Sequence, residues 1–421
     1  MAKTRLPPHE IADLGLAPMG QARIAWAQGQ MPVLARIRER LASDRPLDGV
    51  RVAACLHVTA ETANLILALA DGGAQVALCS ANPLSTQDDV AAALVYEHGI
   101  EVRALRGEDV DTYARHVRSL LEAKPQVTVD DGADLLVTAH GLGGPALDEL
   151  IGGTEETTTG LVRLRRLEAE GKLSVAVVAV NEARTERALN DRHGTGQSAL
   201  DGIVRASNVL LAGHTLVVVG YGWAGQGIAE RARGAGAAVV ICEIDPLRAL
   251  EARMAGYEVM PALQAAERGD VFVTVTGSRR VLRGEHFARM KDGAVLANAG
   301  HFDVELDLDE LRALAVDVRD VRPLIEQYRL EDGRRLNLLA RGRVVNLAAG
   351  EGHPAAVMDV SFAIQALCVE DLVRRRDELS PGVQPVPGSI DQEVAKLKLA
   401  ALGVAIDEPT SEQQHYRESW T

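Results

Sequence analysis

Aromatic residues are scarce: Phe, Trp and Tyr together make only 3% of the 421 residues, so the cores must be built from Ala, Val and Leu. That composition suits helices layered on sheets. Only four cysteines occur, Cys55, Cys79, Cys242 and Cys368, each in an apolar run, with no C-x-x-C pair and no histidine at ligand spacing. They read as buried reduced thiols. His9-Glu10 lacks the second histidine of H-E-x-x-H, and no metal site is expected. Basic residues are outnumbered, 45 Lys and Arg against 59 Asp and Glu, for a formal net charge of −14. Nucleic acid and anionic membrane are thereby excluded as partners, because both require clustered positive charge. No apolar stretch approaches a membrane span, and Met1-Ala-Lys-Thr-Arg-Leu-Pro-Pro8 has no apolar signal core, so a cytoplasmic protein is expected.

Glycine, in contrast, is plentiful at 39 residues. The run Leu216 to Val219 reads as a buried parallel strand, and Gly220, Gly222 and Gly225 follow as G-x-G-x-x-G where that strand should turn into a helix. The first glycine makes the tight turn, the second admits a pyrophosphate to the backbone, and the third lets helix pack on strand. A second run, Ala238 to Cys242, ends in Glu243, placed to accept hydrogen bonds from an adenosine ribose. Its charge would repel a 2′-phosphate, which favours NAD over NADP. Arg248, the only nearby basic residue, reads as a solvated helix position.

The length and the 47% hydrophobic content allow two domains, each with its own core. Two helices are predicted within residues 9–43, then a strand Val50 to Leu56, a helix Ala60 to Ala70 and a strand Gln75 to Cys79. This is a βαβ unit without the glycine fingerprint, with functional groups expected at the carboxyl ends of its strands. A third strand, Gln126 to Val129, precedes Asp130, Asp131 and Asp134; Gly153 to Gly160 reads as a polar loop, and Val175 to Val180 as a short strand. Asp130, Asp134 and Glu155 are read as caps or solvated carboxylates. Gly194-Thr-Gly-Gln-Ser198 breaks the pattern before the cofactor strands, assigned to Leu216–Val219, Ala238–Cys242, Val271–Val275, Ala294–Asn298 and Val344–Leu347. A helix over Val357 to Leu372, a Pro- and Gly-rich linker over 380–388 and a terminal helix from Asp391 to about Leu402 complete the chain.

The segments Cys55-Leu-His-Val-Thr-Ala-Glu-Thr-Ala63, Ser85-Thr-Gln-Asp88, Asp130-Asp131-Gly, Glu155-Glu-Thr-Thr-Thr-Gly160, Gly220-Tyr-Gly222, Glu243-Ile-Asp-Pro246, Asn298-Ala-Gly-His-Phe-Asp303 and Gly352-His-Pro354 closely resemble the S-adenosylhomocysteine hydrolase family, in family order through nearly the whole chain. The resemblance implies an α/β protein of two doubly wound, Rossmann-like domains joined by a two-segment hinge, with a C-terminal helical tail. It divides the chain into a substrate-binding domain (1–181 with 354–389), a hinge (182–197), an NAD-binding domain (198–353) and a tail (390–421). It implies oxidation of a nucleoside 3′-hydroxyl at the expense of NAD, acidification of the 4′ C–H, loss of a 5′ thiol, addition of water and reduction of the ketone.

By position, His57 and Asp131 would transfer protons around C4′ and C5′, Glu156 would hold the ribose hydroxyls, and His301 would sit near the reacting ribose. Thr59, Glu61, Asn181, His353 and Met358 would contact the nucleoside, and Gly220, Gly222, Gly225, Glu243, Thr276, Asn298 and Asn346 would hold NAD. A homo-oligomer, dimer or tetramer, is the family expectation.

One segment departs from the pattern. The family reads Asn-Asp-x-x-x-Lys-x-x-x-Asp-Asn at the hinge, whereas this chain reads Asn181-Glu-Ala-Arg-Thr-Glu186-Arg-Ala-Leu-Asn190-Asp191. Glu186 thus stands at the lysine position and Asn190 at the following aspartate. Three readings stay open: Glu186 is the 3′ base, its pKa raised by burial; the chain is a paralogue, a nucleoside 3′-oxidoreductase without elimination or a weakly active binding protein; or the helix slides by a residue and brings Arg184 or Arg187 to the site.

Overall fold

The computed structural model describes residues 6–420; residues 1–5 and 421, the outermost ends of the first-domain and tail ranges, lie outside it. Seven strands come first: β1 (His9–Glu10), β2 (Arg51–Leu56), β3 (Gln75–Ser80), β4 (Glu101–Arg103), β5 (Val127–Asp130), β6 (Gly152–Glu155) and β7 (Ala176–Ala179). The next eight are β8 (Thr215–Val219), β9 (Ala238–Cys242), β10 (Glu258–Val259), β11 (Val271–Thr274), β12 (Val295–Asn298), β13 (Ala315–Arg322), β14 (Ile325–Leu330) and β15 (Arg335–Leu339). The last, β16 (Gly382–Pro385), returns to the first sheet beside β7.

Both sheets are doubly wound. The first has the order β1-β4-β3-β2-β5-β6-β7-β16 and the second β10-β9-β8-β11-β12-β15-β14-β13. In each, the chain reverses direction across the sheet at one central pair, β2/β5 and β8/β11, and ligands of such sheets bind outside the carboxyl ends of that pair. The first sheet is parallel throughout its pairings; the second ends in the antiparallel hairpin β13–β14, itself antiparallel to β15. Aliphatic side chains fill the cores, Val52, Leu56, Ile66 and Leu94 in the first domain, Leu216, Val218 and Ile228 on one face of the second sheet. Phe272 and Tyr328, two of the few aromatics, pack on its other face.

Three stretches differ from the sequence reading. Val344–Leu347 is not a strand: β15 occupies the place beside β12, so Val344 makes one bridge to Asn298 and the chain curls into a helical turn, Val345–Ala348. Gly152–Glu155, three of its four residues read as loop, is a strand buried on both faces, where Gly-Gly-Thr-Glu carries no β-branched run to announce it. The linker over 380–388 contains β16, whose Pro385 is tolerated because the strand lies at the sheet edge. The helix predicted from Asp391 spans Gly388–Ala401 and docks in cis, with Asp391 accepting from the backbone N–H of Arg184 and Thr185 and Lys398 Nζ 2.8 Å from the buried Asp359; a further, unpredicted helix, Ser411–Glu418, follows it.

Candidate active site

The chain reversal in the first sheet puts β2 beside β5, with Cys55 opposite Asp130 in register, so the next residues of both strands leave the sheet side by side. His57 Nε2 consequently lies 3.4 Å from Asp131 Oδ2. His57 Nδ1 is 2.6 Å from Ser85 Oγ, and Ser85 donates its single hydrogen to the Asn82 carbonyl at 2.8 Å. Ser85 must then accept from Nδ1–H, which leaves the Nε2 lone pair facing Asp131 and the cleft. Burial lowers the His57 pKa to about 4 and raises that of Asp131 to about 6, so the imidazole is neutral at pH 7. Asp131 Oδ1 is buried without a hydrogen-bond partner.

The neighbouring carboxylates do structural work, as read from the sequence. Asp130 accepts from the N–H groups of Leu135 and Leu136, Glu155 from those of Gly132 and Thr157, and Asp134 pairs with Arg163 at 2.8 Å. Thr59 caps the helix Ala60–Asp71, and Glu61 lies in its first turn, its carboxyl pKa raised chiefly by burial. Asn181 Oδ1 accepts from Thr158 Oγ1 at 2.8 Å.

Across the cleft, Glu156 is buried and receives three donors: the Ser361 hydroxyl, Gln365 Nε2 at 2.6 Å and, more distantly, Asn190 Nδ2 at 3.5 Å. Asn190 Nδ2 also approaches Met358 Sδ at 3.7 Å. Ser361 and Gln365 escaped the sequence reading. Their only signal was two polar residues four apart on the buried face of the helix Ala355–Arg374. Glu186, Asn190 and Asp191 lie on a π-helical segment, Glu186–Thr195, a wide form of helix found mainly at functional sites. Glu186 is 1% exposed and Asn190 5%, so the lysine position does face inward. The slid-helix reading fails: Arg187 pairs outward with Glu182 at 3.4 Å, and Arg184 is exposed. His353 Nε2 is 3.1 Å from Thr195 Oγ1, and burial lowers its pKa to about 4.

The second domain brings its own carboxyl ends to the same cleft. His301 Nε2 comes within 3.6 Å of where a Cβ on Gly132 would stand, and its ring packs edge-on against Phe302. Burial lowers the His301 pKa, against the opposing pull of Asp131. Behind it, β8 ends at Gly220, whose φ of +106° suits glycine, and Gly222 starts the helix Trp223–Gly234 with no side chain capping its N–H groups. A Cβ on Gly225 would strike Gly220 O. These uncapped N–H groups and the close glycine turn fit a dinucleotide pyrophosphate. Glu243 accepts from Tyr221 N–H at 2.7 Å, which ties this carboxylate to the glycine loop. Asn346 Oδ1 is a buried acceptor without a partner, while its Nδ2 donates to Ser198 at 3.2 Å, an arrangement that fits a carboxamide donor. Like Glu243, which also accepts from the Ile244 and Asp245 N–H groups, two further predicted cofactor residues are engaged within the protein. Thr276 donates to the buried Glu305, and Asn298 bonds Gly300, Phe302, Gly342 and Thr274 to shape the loop that carries His301.

Two switch points facing one cleft, one with a dinucleotide cradle and the other with paired acid–base residues, define a two-domain dinucleotide-dependent enzyme. Residues 8–143 match the family model described as S-adenosyl-L-homocysteine hydrolase, and residues 191–352 match that of its NAD binding domain. An adenosylhomocysteinase of Thermosynechococcus vestitus is 54% identical over 413 residues, covering 98% of this chain and 96% of its own. The adenosylhomocysteinase of Aquifex aeolicus is 54% identical over 411 residues, 98% of each chain. An S-inosyl-L-homocysteine hydrolase of Methanopyrus kandleri is 52% identical over 413 residues, 98% of this chain and 97% of its own. The chain belongs to the S-adenosyl-L-homocysteine hydrolase family, and its cofactor is NAD.

Proposed function

We propose that the protein reversibly cleaves S-adenosyl-L-homocysteine to adenosine and homocysteine, with the ribose 3′ carbon held as a ketone during the exchange at C5′. The observation that carries this reading is the pairing of His57 Nε2 with Asp131 beneath His301, a proton-transfer pair at the mouth of a dinucleotide cleft. Bound NAD supplies the oxidant for C3′ and returns the same electrons at the end of the cycle. Gly220, Gly222 and Gly225 would hold its pyrophosphate, Glu243 its adenosine ribose and Asn346 its carboxamide.

Around the substrate, Glu156 accepts from the ribose hydroxyls. His57 Nε2 or Asp131 removes the C4′ proton, made acidic by the adjacent carbonyl, and the same pair protonates the departing thiolate and deprotonates the water that replaces it. Thr59, Glu61, Asn181, His353 and Met358 surround the nucleoside. Residues 182–197 and the return at 353–354 form the hinge between substrate-binding segments (1–181 with 354–389) and the NAD-binding segment (198–353), and 390–421 form the tail.

A homo-oligomer, dimer or tetramer, goes with this reading: edge strand β13 exposes Val316, Val318 and Val321, and unpaired strand edges of that kind are ordinarily covered. Among the described residues no helix is long and apolar enough to cross a membrane, and we place the enzyme in the cytoplasm. The test is thiol release from S-adenosyl- and S-inosyl-homocysteine by the NAD-loaded protein. Faster release from the adenosyl compound supports the assignment; preference for the inosyl compound moves the substrate to that of the Methanopyrus relative.

A further inference from the structure

Glu186 and Glu156 are two buried carboxyl groups beside the ribose side of the cleft, and the donors around them are unequally shared. Ser361 has one hydrogen and gives it to Glu156. The Asn190 amide is directed at Glu156 and Met358, and the Gln365 amide at Glu156. Ser361 and Asn190 also lie close enough to Glu186 to lower its pKa, but burial outweighs them, and Glu186 Oε2, in a side chain 1% exposed, has no hydrogen-bond partner. A carboxylate needs donors, whereas a carboxylic acid brings its own.

The charges nearby point the same way. Glu156 and Asp191 are both negative neighbours of Glu186. Arg187 pairs with Glu182, and its charge also reaches Asp191. On the helix Ala355–Arg374 the buried Asp359 is taken by Lys398, and on the helix Trp223–Gly234 Glu230 is taken by Arg192. Among the described residues Glu186 has no salt-bridge partner. Two like charges in one buried site do not both ionise, and burial holds the Glu186 pKa well above the ordinary carboxylate range.

We propose that Glu186 carries a proton at pH 7 and that its free oxygen donates a hydrogen bond to the 3′ oxygen of the bound ribose. This deepens the hydrolase reading and rests on it. When the C4′–H bond breaks, its proton goes to the His57–Asp131 pair and its electrons delocalise into a C3′–C4′ double bond, with negative charge on O3′. The Glu186 O–H stabilises that charge as a neutral donor without being consumed. When the C5′–S bond breaks, the electrons move into a C4′–C5′ double bond, O3′ returns to a carbonyl, and the thiolate leaves with the C5′–S pair. A neutral acid kept protonated at pH 7 is a known means of stabilising such an oxyanion.

The experiment pairs Glu186→Gln with Glu186→Ala in the NAD-loaded full chain and records infrared spectra at pH 7. The amide of the Gln variant retains a donor and has no proton to lose. We expect Ala to lower thiol release by about 10²–10³-fold and Gln by less than about tenfold. The alkaline limb of the wild-type rate should vanish in Gln, and one carboxylic-acid carbonyl band of the wild type should be missing from its spectrum. Gln falling as far as Ala, a rate limb on the acid side that Gln removes, or no band lost would overturn the proposal. Absence of thiol release by the wild type would instead sink the hydrolase reading, with the band still deciding where the proton sits.

Discussion

Gln365 Nε2 donates to Glu156 Oε2 across 2.6 Å, and the carbonyl of the same amide accepts from Thr154 Oγ1 at 2.7 Å. One side chain thus fixes the carboxylate at the end of β6 to a helix that enters the chain some two hundred residues later. Glu156 is held up at about pKa 8 by burial, and the Gln365 amide is one of the few groups pulling it down. Replacing Gln365 by Leu removes that donor and leaves Thr154 without its acceptor. The expected cost is roughly 1–3 kcal/mol in denaturant unfolding, with slower thiol release; an unchanged unfolding midpoint would show that the contact is idle.

Buried carboxyl groups give stability a distinct pH dependence. Burial is the first cause of the raised pKa of Asp130, to about 7, and of Glu156, to about 8. A raised folded pKa means that the contribution is fully present below the unfolded value, near 4, and is lost as pH rises through the folded one. His57 and His353, lowered to about 4, are already neutral above pH 7 and do not contribute to this limb. The melting temperature of the ligand-free protein should therefore fall between pH 6.5 and about 8.5; a rise over that window contradicts the assignment.

Gly225→Ala tests the cofactor cradle. The added methyl meets Gly220 O, a backbone atom that cannot move without opening the turn. NAD binding by calorimetry should be lost while the first domain keeps its own transition, and overpacking should cost about 1–3 kcal/mol in the second. Retention of wild-type NAD affinity would remove the pyrophosphate from this turn.

Glu243→Ala tests the choice of dinucleotide. Loss of hydrogen bonds to a charged group, about 1.5–3 kcal/mol, should weaken NAD by about tenfold or more and NADP far less, so the preference narrows. Equal weakening of both would place Glu243 away from the ribose.

The strand–turn–helix from Thr215 to Gly234 was legible because its signals are local: an apolar run, glycines at fixed spacing and an acidic residue at the next strand end. His57 and Asp131 were legible through family motifs, and the β2/β5 pairing explains why two residues so far apart in sequence meet. Ser361 and Gln365 were not, since a serine in an apolar helix has no meaning until Glu156 is brought to it. Strand β6 was hidden by its glycines, and the Val344 run misled because β15 had taken its neighbour. The π-helical turn was equally hidden: four-residue spacing suggested that Glu186 and Asn190 share a face, but nothing in the sequence announced the extra width that leaves Asp191 beside them.

The proposed removal of the C4′ proton by the His57–Asp131 pair is the step on which the rest depends, and hydrogen exchange reads it directly. Adenosine incubated in deuterated water with the NAD-loaded protein should exchange one carbon-bound hydrogen, at C4′, by NMR, and His57→Ala should slow that exchange by about 10²–10⁴-fold. Full retention of the C4′ hydrogen by the wild type, under conditions where adenosine is bound, would contradict the account.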